Sequence, residues 1–154
     1  MITGTFGKSF GSGGAFIACD SKIGEYLIQT SGAFRYTTAL SPALAAGALK
    51  SLQIIKRNKT WGINLLSASK TWKQEILRNI SYPVSGDSQI LSIIVGQEEK
   101  TILLQKHLER NGFLAIAIRP PTVPVNESRI RLTIRKDLDL DVLKKLTSVL
   151  KAFK

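Results

Sequence analysis

Between residues 90 and 153 the spacing of apolar residues switches repeatedly between a strand period and a helix period, and this alternation restricts the fold more than any other feature. Ile90 to Val95 suits a strand, Gln97 to Asn111 a helix stopped by Gly112, Phe113 to Ile118 a strand, and Ile130 to Ile134 a strand with alternating faces. Val142, Leu143, Leu146, Val149, Leu150 and Phe153 then recur at helical spacing on one side, with Lys144, Lys145 and Lys151 on the other. The order β-α-β-β-α predicts a compact α+β lobe in which helices layer on a sheet.

Upstream, GAFIAC at 14–19 is an apolar run suited to a buried strand, and Asp20 marks a helix running to about Thr30. Phe34 to Thr38 reads as extended. Ser41-Pro42 is a helix start, because a hydroxyl can cap and a proline at the first helical position loses no hydrogen bond. That helix runs to about Arg57, and another, roughly Trp61 to Asn79, leads into the loop SYPVSGDS. No internal repeat or low-complexity linker interrupts the 154 residues, a length suited to one domain.

The net charge of +11 raises the question of nucleic acid, so its distribution matters. Residues 41–80 carry +7 and −1, yet Trp61 and Trp72 stand too far apart to interleave with these cations as a base-stacking platform. A solvated helix face is the reading, with no nucleic-acid partner. No run of eighteen apolar residues exists, so no membrane span is expected. The first residues lack the basic-then-apolar order of a secretory signal, and the single cysteine, Cys19, cannot form an internal disulfide, so a cytoplasmic setting is expected.

Familiar catalytic constellations are scarce. The single histidine, His107, sits in a helical stretch with no partner suggested, and one histidine with one cysteine cannot build a usual zinc site, so no metal is expected. No G-x-S-x-G turn presents a serine nucleophile. The stretch TGTFGKSFGSGG, residues 3–14, places Lys8 among five glycines. A nucleotide-binding G-x-x-x-x-G-K-[ST] loop fails on spacing, since Ile2 stands where its first glycine belongs. A flexible turn with a solvated lysine stays open. So does a Schiff-base lysine for an aldehyde cofactor such as pyridoxal 5′-phosphate. Such a site also needs hydroxyls for the phosphate and a guanidinium for an amino-acid carboxylate, and Thr5, Thr37, Thr38 and the arginines of RIRLT supply them.

GTFGKSFGSGGAF at 4–16, RYTTALSPALAAGAL at 35–49, AIRPPTVP at 117–124 and SRIRLTI at 128–134 occur in the order and spacing of the α-oxoamine synthases. From residue 1 to about 150 the chain resembles that family of pyridoxal-phosphate enzymes, which implies an α/β architecture, the aspartate-aminotransferase fold. The resemblance implies that Lys8 carries the cofactor and moves the proton at the substrate Cα, and that Thr5 binds the cofactor phosphate from the same chain. It implies that Thr37 and Thr38 reach the phosphate of a neighbouring subunit in a homodimer, that Arg131 holds the substrate carboxylate, and that Thr122 lines the substrate pocket. AIRPPTVP most closely resembles the branch of that family that condenses L-alanine with a pimeloyl thioester, carried by coenzyme A or a carrier protein, with loss of carbon dioxide on the way to biotin, and the resemblance implies that reaction here. Use of glycine or serine with another acyl group is the alternative within the family; a non-catalytic interaction module is the alternative outside it.

By the same resemblance, residues 1–40 correspond to part of the large cofactor-binding domain, 41–80 to connecting helices and 81–154 to the C-terminal small domain. The family's chain extends much further on the N-terminal side, where the aspartate that pairs with the pyridinium nitrogen lies, so little synthase activity is expected of this chain alone. One departure stands out: relatives follow R-x-R with a T-A-A-H-type turn, whereas this chain reads LTIRKDLDLD.

Overall fold

The computed structural model describes residues 1–153 and divides into two compact units, the first of residues 1–59 and the second beginning at Thr60. The first unit opens with a hairpin of β1 (Ile2–Thr5) and β2 (Ala15–Ala18), paired antiparallel from Ile2–Ala18 to Thr5–Ala15. Three helices follow: α1 (Ser21–Thr30), α2 (Gly32–Arg35) and α3 (Pro42–Arg57). Pro42 stands at the start of α3 as its missing N–H allows, but the Ser41 hydroxyl makes no capping hydrogen bond.

Two expectations fail in this unit. The strand at 15–18 forms, but all four of its residues are exposed rather than buried. Phe34 to Thr38 is not extended. The Ser31 hydroxyl accepts from the Phe34 N–H and starts the single turn of α2, which Tyr36 closes, leaving Thr37 and Thr38 in an irregular segment. Of the hydrophobic side chains in residues 1–59, only Ala48 is buried.

The second unit holds the core. Its sheet is ordered β3 (Val84–Ser85), β4 (Ile90–Gly96), β6 (Ser128–Thr133), β5 (Ile116–Ile118), antiparallel throughout. Helices α4 (Trp61–Asn79), α5 (Glu98–Arg110) and α6 (Leu140–Ala152) cover one face. Strand alternation sends Leu91, Ile93, Ile130 and Leu132 into that layer, where they meet Trp72 and Ile76 of α4, Leu104 and Leu108 of α5, and Leu146 and Leu150 of α6. Burying each large aliphatic side chain there contributes on the order of 2 kcal/mol.

The strand expected over 113–118 is shorter because helix α5 claims its start. Gly112, at φ +85°, donates to Glu109 O and Phe113 N–H donates to Leu108 O, the double bond of a helix end closed by a left-handed glycine. Strand β3, within the stretch read as loop, pairs Val84 with Ile93. It is held from α4: Lys73 Nζ donates to Gly86 O at 2.9 Å, and the buried Ser69 hydroxyl donates to Ser88 O at 2.6 Å.

Candidate functional site

The Lys8 segment is an ordered hairpin tip. Beyond the Thr5–Ala15 pair, Phe6 N–H donates to Gly14 O and Ser12 N–H donates back to Phe6 O, both at 2.9 Å. Inside that bracket Gly11 N–H donates to Lys8 O at 2.9 Å, closing a turn over residues 8–11 that ends in the left-handed region, with Gly11 at φ +58°. Phe6 packs edge-on against Phe10, with ring centroids 5.2 Å apart. The Lys8 side chain projects into solvent and joins no ion pair among the described residues.

The returning limb of this loop lies along α3 and the residues before it. The Ser12 hydroxyl donates to Leu44 O at 2.6 Å, and the Ser51 hydroxyl donates to Phe10 O at 2.7 Å. A Cβ on Gly13 would come within 3.0 Å of Leu44 Cδ1, and one on Gly14 within 2.9 Å of Leu40 Cδ2. A side chain at either position would have to displace a leucine end, and Gly14, at φ +93°, also holds a backbone conformation that side chains disfavour. Thr5 shares this hairpin with Lys8. Thr37 and Thr38 are exposed, and among the described residues no side-chain hydrogen bond ties them to the loop.

Arg131 lies in the second unit, on β6. Alternation places Arg129 and Arg131 on the face opposite the helices, with Ser92 and Ile116 flanking Arg131, and Ile94 and Ile118 flanking Arg129. The two arginines differ in their partners. Arg129 is occupied by Glu127, through Nε to its carbonyl oxygen at 2.9 Å and Nη2 to its carboxylate at 2.8 Å. Arg131 is exposed and has no acidic partner among the described residues, so its guanidinium fork is available to a carboxylate. It borders an open groove of about 480 Å³ together with Phe113, Ile116 and Thr133. Thr122 lies apart from that lining, exposed in the loop after the cis Pro120–Pro121 bond, where its N–H donates to Arg119 O at 3.0 Å.

The unusual LTIRKDLDLD turn has a structural use. Arg135 and Asp137 pair through two hydrogen bonds of 3.0 and 2.7 Å, which holds the Asp137 carboxyl below the usual carboxylate range and raises the guanidinium. Asp139 caps α6, accepting from the N–H groups of Asp141 and Val142. Lys136 Nζ stands 4.1 Å from the centroid of the Trp61 ring. No group of three or more metal-ligating side chains occurs among the described residues.

Sequence reasoning missed Ser12 and Ser51. Their only signal was position: Gly47 and Ser51 follow Leu44 at helical spacing, three and four residues apart, opposite the glycines of the loop.

The chain belongs to the class I and II aminotransferase family, whose model matches residues 1–150. Within it, the sequence is similar to curated 8-amino-7-oxononanoate synthases. The one from Hahella chejuensis (strain KCTC 2396) is 36% identical over 155 residues, covering 100% of this chain and 39% of the relative. The 8-amino-7-oxononanoate synthase of Francisella tularensis superposes with a TM-score of 0.81 at 25% identity, over 97% of this chain and 44% of that one. The serine palmitoyltransferase of Sphingomonas wittichii gives a TM-score of 0.85 at 22% identity over 97% of this chain and 38% of its own, a likeness of fold alone. Another solved neighbour, an SPT at 20% identity, holds PLP as its internal aldimine. The chain spans about two fifths of the length of the curated relative from Hahella. The α/β aminotransferase fold expected from the four sequence motifs is the fold observed. No helix among the described residues is long and apolar enough to cross a membrane.

Proposed function

We propose that this chain supplies the cofactor lysine and the C-terminal lobe of an α-oxoamine synthase, and that the synthase is the one condensing L-alanine with a pimeloyl thioester to give 8-amino-7-oxononanoate. The observation that carries the reading is the ordered Lys8 turn, in a chain similar over its whole length to synthases of that name. In this reading residues 1–40 belong to the cofactor-binding domain, 41–80 connect, and 81–154 form the C-terminal domain of a cytoplasmic homodimer.

The donor set fits pyridoxal 5′-phosphate: an amine with no ion-pair partner among the described residues, a threonine hydroxyl on the same hairpin, and a guanidinium free for an amino-acid carboxylate. When bound, the cofactor supplies an electron sink for the carbanion at the amino-acid Cα. Lys8 holds the cofactor covalently and moves the proton at that Cα. Thr5 hydrogen-bonds the phosphate, with Thr37 and Thr38 serving the site of a neighbouring subunit. Arg131 orients alanine by its carboxylate, because a planar fork fixes direction as well as charge. Thr122 lines the pocket. The new carbon–carbon bond joins the alanine Cα to the pimeloyl carbonyl carbon as the thioester C–S bond breaks and frees the thiol carrier, and the alanine carboxylate leaves Cα as carbon dioxide.

The test is an absorbance spectrum of the purified chain with pyridoxal 5′-phosphate, followed by borohydride reduction, peptide mapping, and an assay with alanine and pimeloyl-CoA. The assay is run with and without a separately supplied N-terminal portion of such a synthase. Reduced adduct on Lys8, with turnover only in the assembled form, is expected. Labelling spread evenly over the lysines would sink the cofactor site, and turnover with glycine or serine in place of alanine would move the chain to another branch of the family.

A further inference from the structure

We propose that Ser12 and Ser51 are positioning residues for Lys8, which together lock the turn carrying the lysine onto α3; the role toward the cofactor rests on the function proposed above. Neither side chain contacts the lysine. They act on the backbone on either side of Gly11, where the Phe10 carbonyl accepts from Ser51 at 2.7 Å and the Ser12 hydroxyl donates to the Leu44 carbonyl at 2.6 Å.

The geometry favours a clamp over two incidental contacts. The partners on the loop run Gly14, Gly13, Ser12, Phe10 while those opposite run Leu40, Leu44, Gly47, Ser51, so one limb of the loop lies antiparallel to one stripe of α3 and to Leu40 just before that helix. Gly47 faces the Ser12 side chain, since a Cβ there would lie 3.4 Å from Ser12 Oγ, at ordinary contact distance. The Ser51 hydroxyl reaches a main-chain carbonyl of the turn, and the Ser12 hydroxyl, from the loop side, reaches the Leu44 carbonyl in the first turn of α3. The Phe10 carbonyl lies inside the Lys8–Gly11 turn, and the hydrogen bonds within the hairpin tip use Phe6 O, Lys8 O and Gly14 O instead. The tip's own main-chain hydrogen bonds and the packing of Phe6 on Phe10 and Phe16 shape the turn, and the two hydroxyls tie that turn to α3. A long, flexible lysine side chain reaches a defined point only if its Cα is fixed.

The test compares the unmutated chain with S12A, S51A, S12A/S51A and S51T, the last keeping the donor. Hydrogen exchange is measured at the Gly11 and Ser12 amides relative to the amides paired between β1 and β2. The share of borohydride-reduced pyridoxal phosphate adduct that maps to Lys8 is measured in parallel. In S12A/S51A the exchange ratio should rise about tenfold, as the loss of two modest hydrogen bonds implies, while S51T stays near the unmutated value. The Lys8 share of adduct should fall severalfold in the same variant and recover with S51T, which a merely structural role would not require. An unchanged exchange ratio in S12A/S51A, or a rise equal over the whole hairpin, overturns the proposal. Absence of Lys8 selectivity in the unmutated chain would instead count against the cofactor reading, and the exchange ratio would still decide the clamp.

Discussion

His107 Nε2 stands 3.0 Å from the carbonyl oxygen of Val149, joining α5 to the last turns of α6 across 42 residues of sequence. The imidazole also packs against the Phe153 ring, with centroids 5.5 Å apart. The only histidine of the chain is thus a bracket between two helices of the core layer. Replacing it with alanine removes one hydrogen bond and leaves a carbonyl short of a partner. The second unit should lose about 1–2 kcal/mol, read as a lowered midpoint in thermal unfolding followed by circular dichroism. Cofactor labelling of Lys8 should be unaffected.

Gly86 sits at φ +114° in the turn between β3 and β4, and a Cβ there would overlap the Ile90 carbonyl oxygen. A main-chain atom cannot swing aside as a side chain would. Gly86→Ala should therefore cost about 2–4 kcal/mol, shown by chemical denaturation. Gly62→Ala, at a helical site with open space around it, should be neutral or stabilising in the same measurement.

The two arginines of β6 should separate by readout. In the assembled synthase, Arg131→Ala should raise the half-saturating concentration of alanine by roughly ten- to a hundredfold, as expected for loss of a charge-assisted fork. Arg131→Lys should recover part of that, because an ammonium carries the charge without the geometry. Arg129→Ala removes the pair with Glu127 and should leave alanine saturation close to normal. Equal effects of the two alanine variants on alanine saturation would remove Arg131 from its assigned role.

The Arg135–Asp137 pair has a definite pH signature. The hydrogen bonds from the guanidinium are the largest cause of the depressed Asp137 pKa. A carboxyl whose folded pKa lies below its unfolded value stabilises the fold above the ordinary carboxylate range, and that contribution disappears as pH falls through the depressed value. Both side chains are exposed, so the effect is small and weakened by salt. An NMR titration of Asp137 should show its midpoint moving upward in Arg135→Ala; no movement would mean that the pair does not form in solution.

Local patterns made much of this molecule legible. The period-3.6 stripe from Val142 to Phe153 matches α6, and Gly112 closes α5 as its position after the apolar repeat suggests. Ser41-Pro42 marked the start of α3 although the serine does not cap. Strand β3 escaped notice because a two-residue strand has no period to read; it exists through pairing with β4 and through the bonds from Lys73 and Ser69. Phe34 to Thr38 misled for the opposite reason, since one serine side chain outweighed the extended preference of its neighbours.

The candidate site divides along the same line. Glycine spacing around Lys8 and the R-I-R pattern were visible in the sequence because they are contiguous. Strand alternation alone puts Arg129 and Arg131 on the same face; the resemblance singled out Arg131, and the structure adds that Arg129 is taken by Glu127 while Arg131 has no acidic partner among the described residues. The sequence determined which residue types stand near one another along the chain, and with them the helices, the central strands and the lysine turn, because periodicity and turn chemistry act over a few residues. Tertiary structure decided that Ser12 and Ser51 anchor that turn on α3, since a hydrogen bond spanning 32 or 41 residues depends on the close approach of two backbones, which no local pattern records.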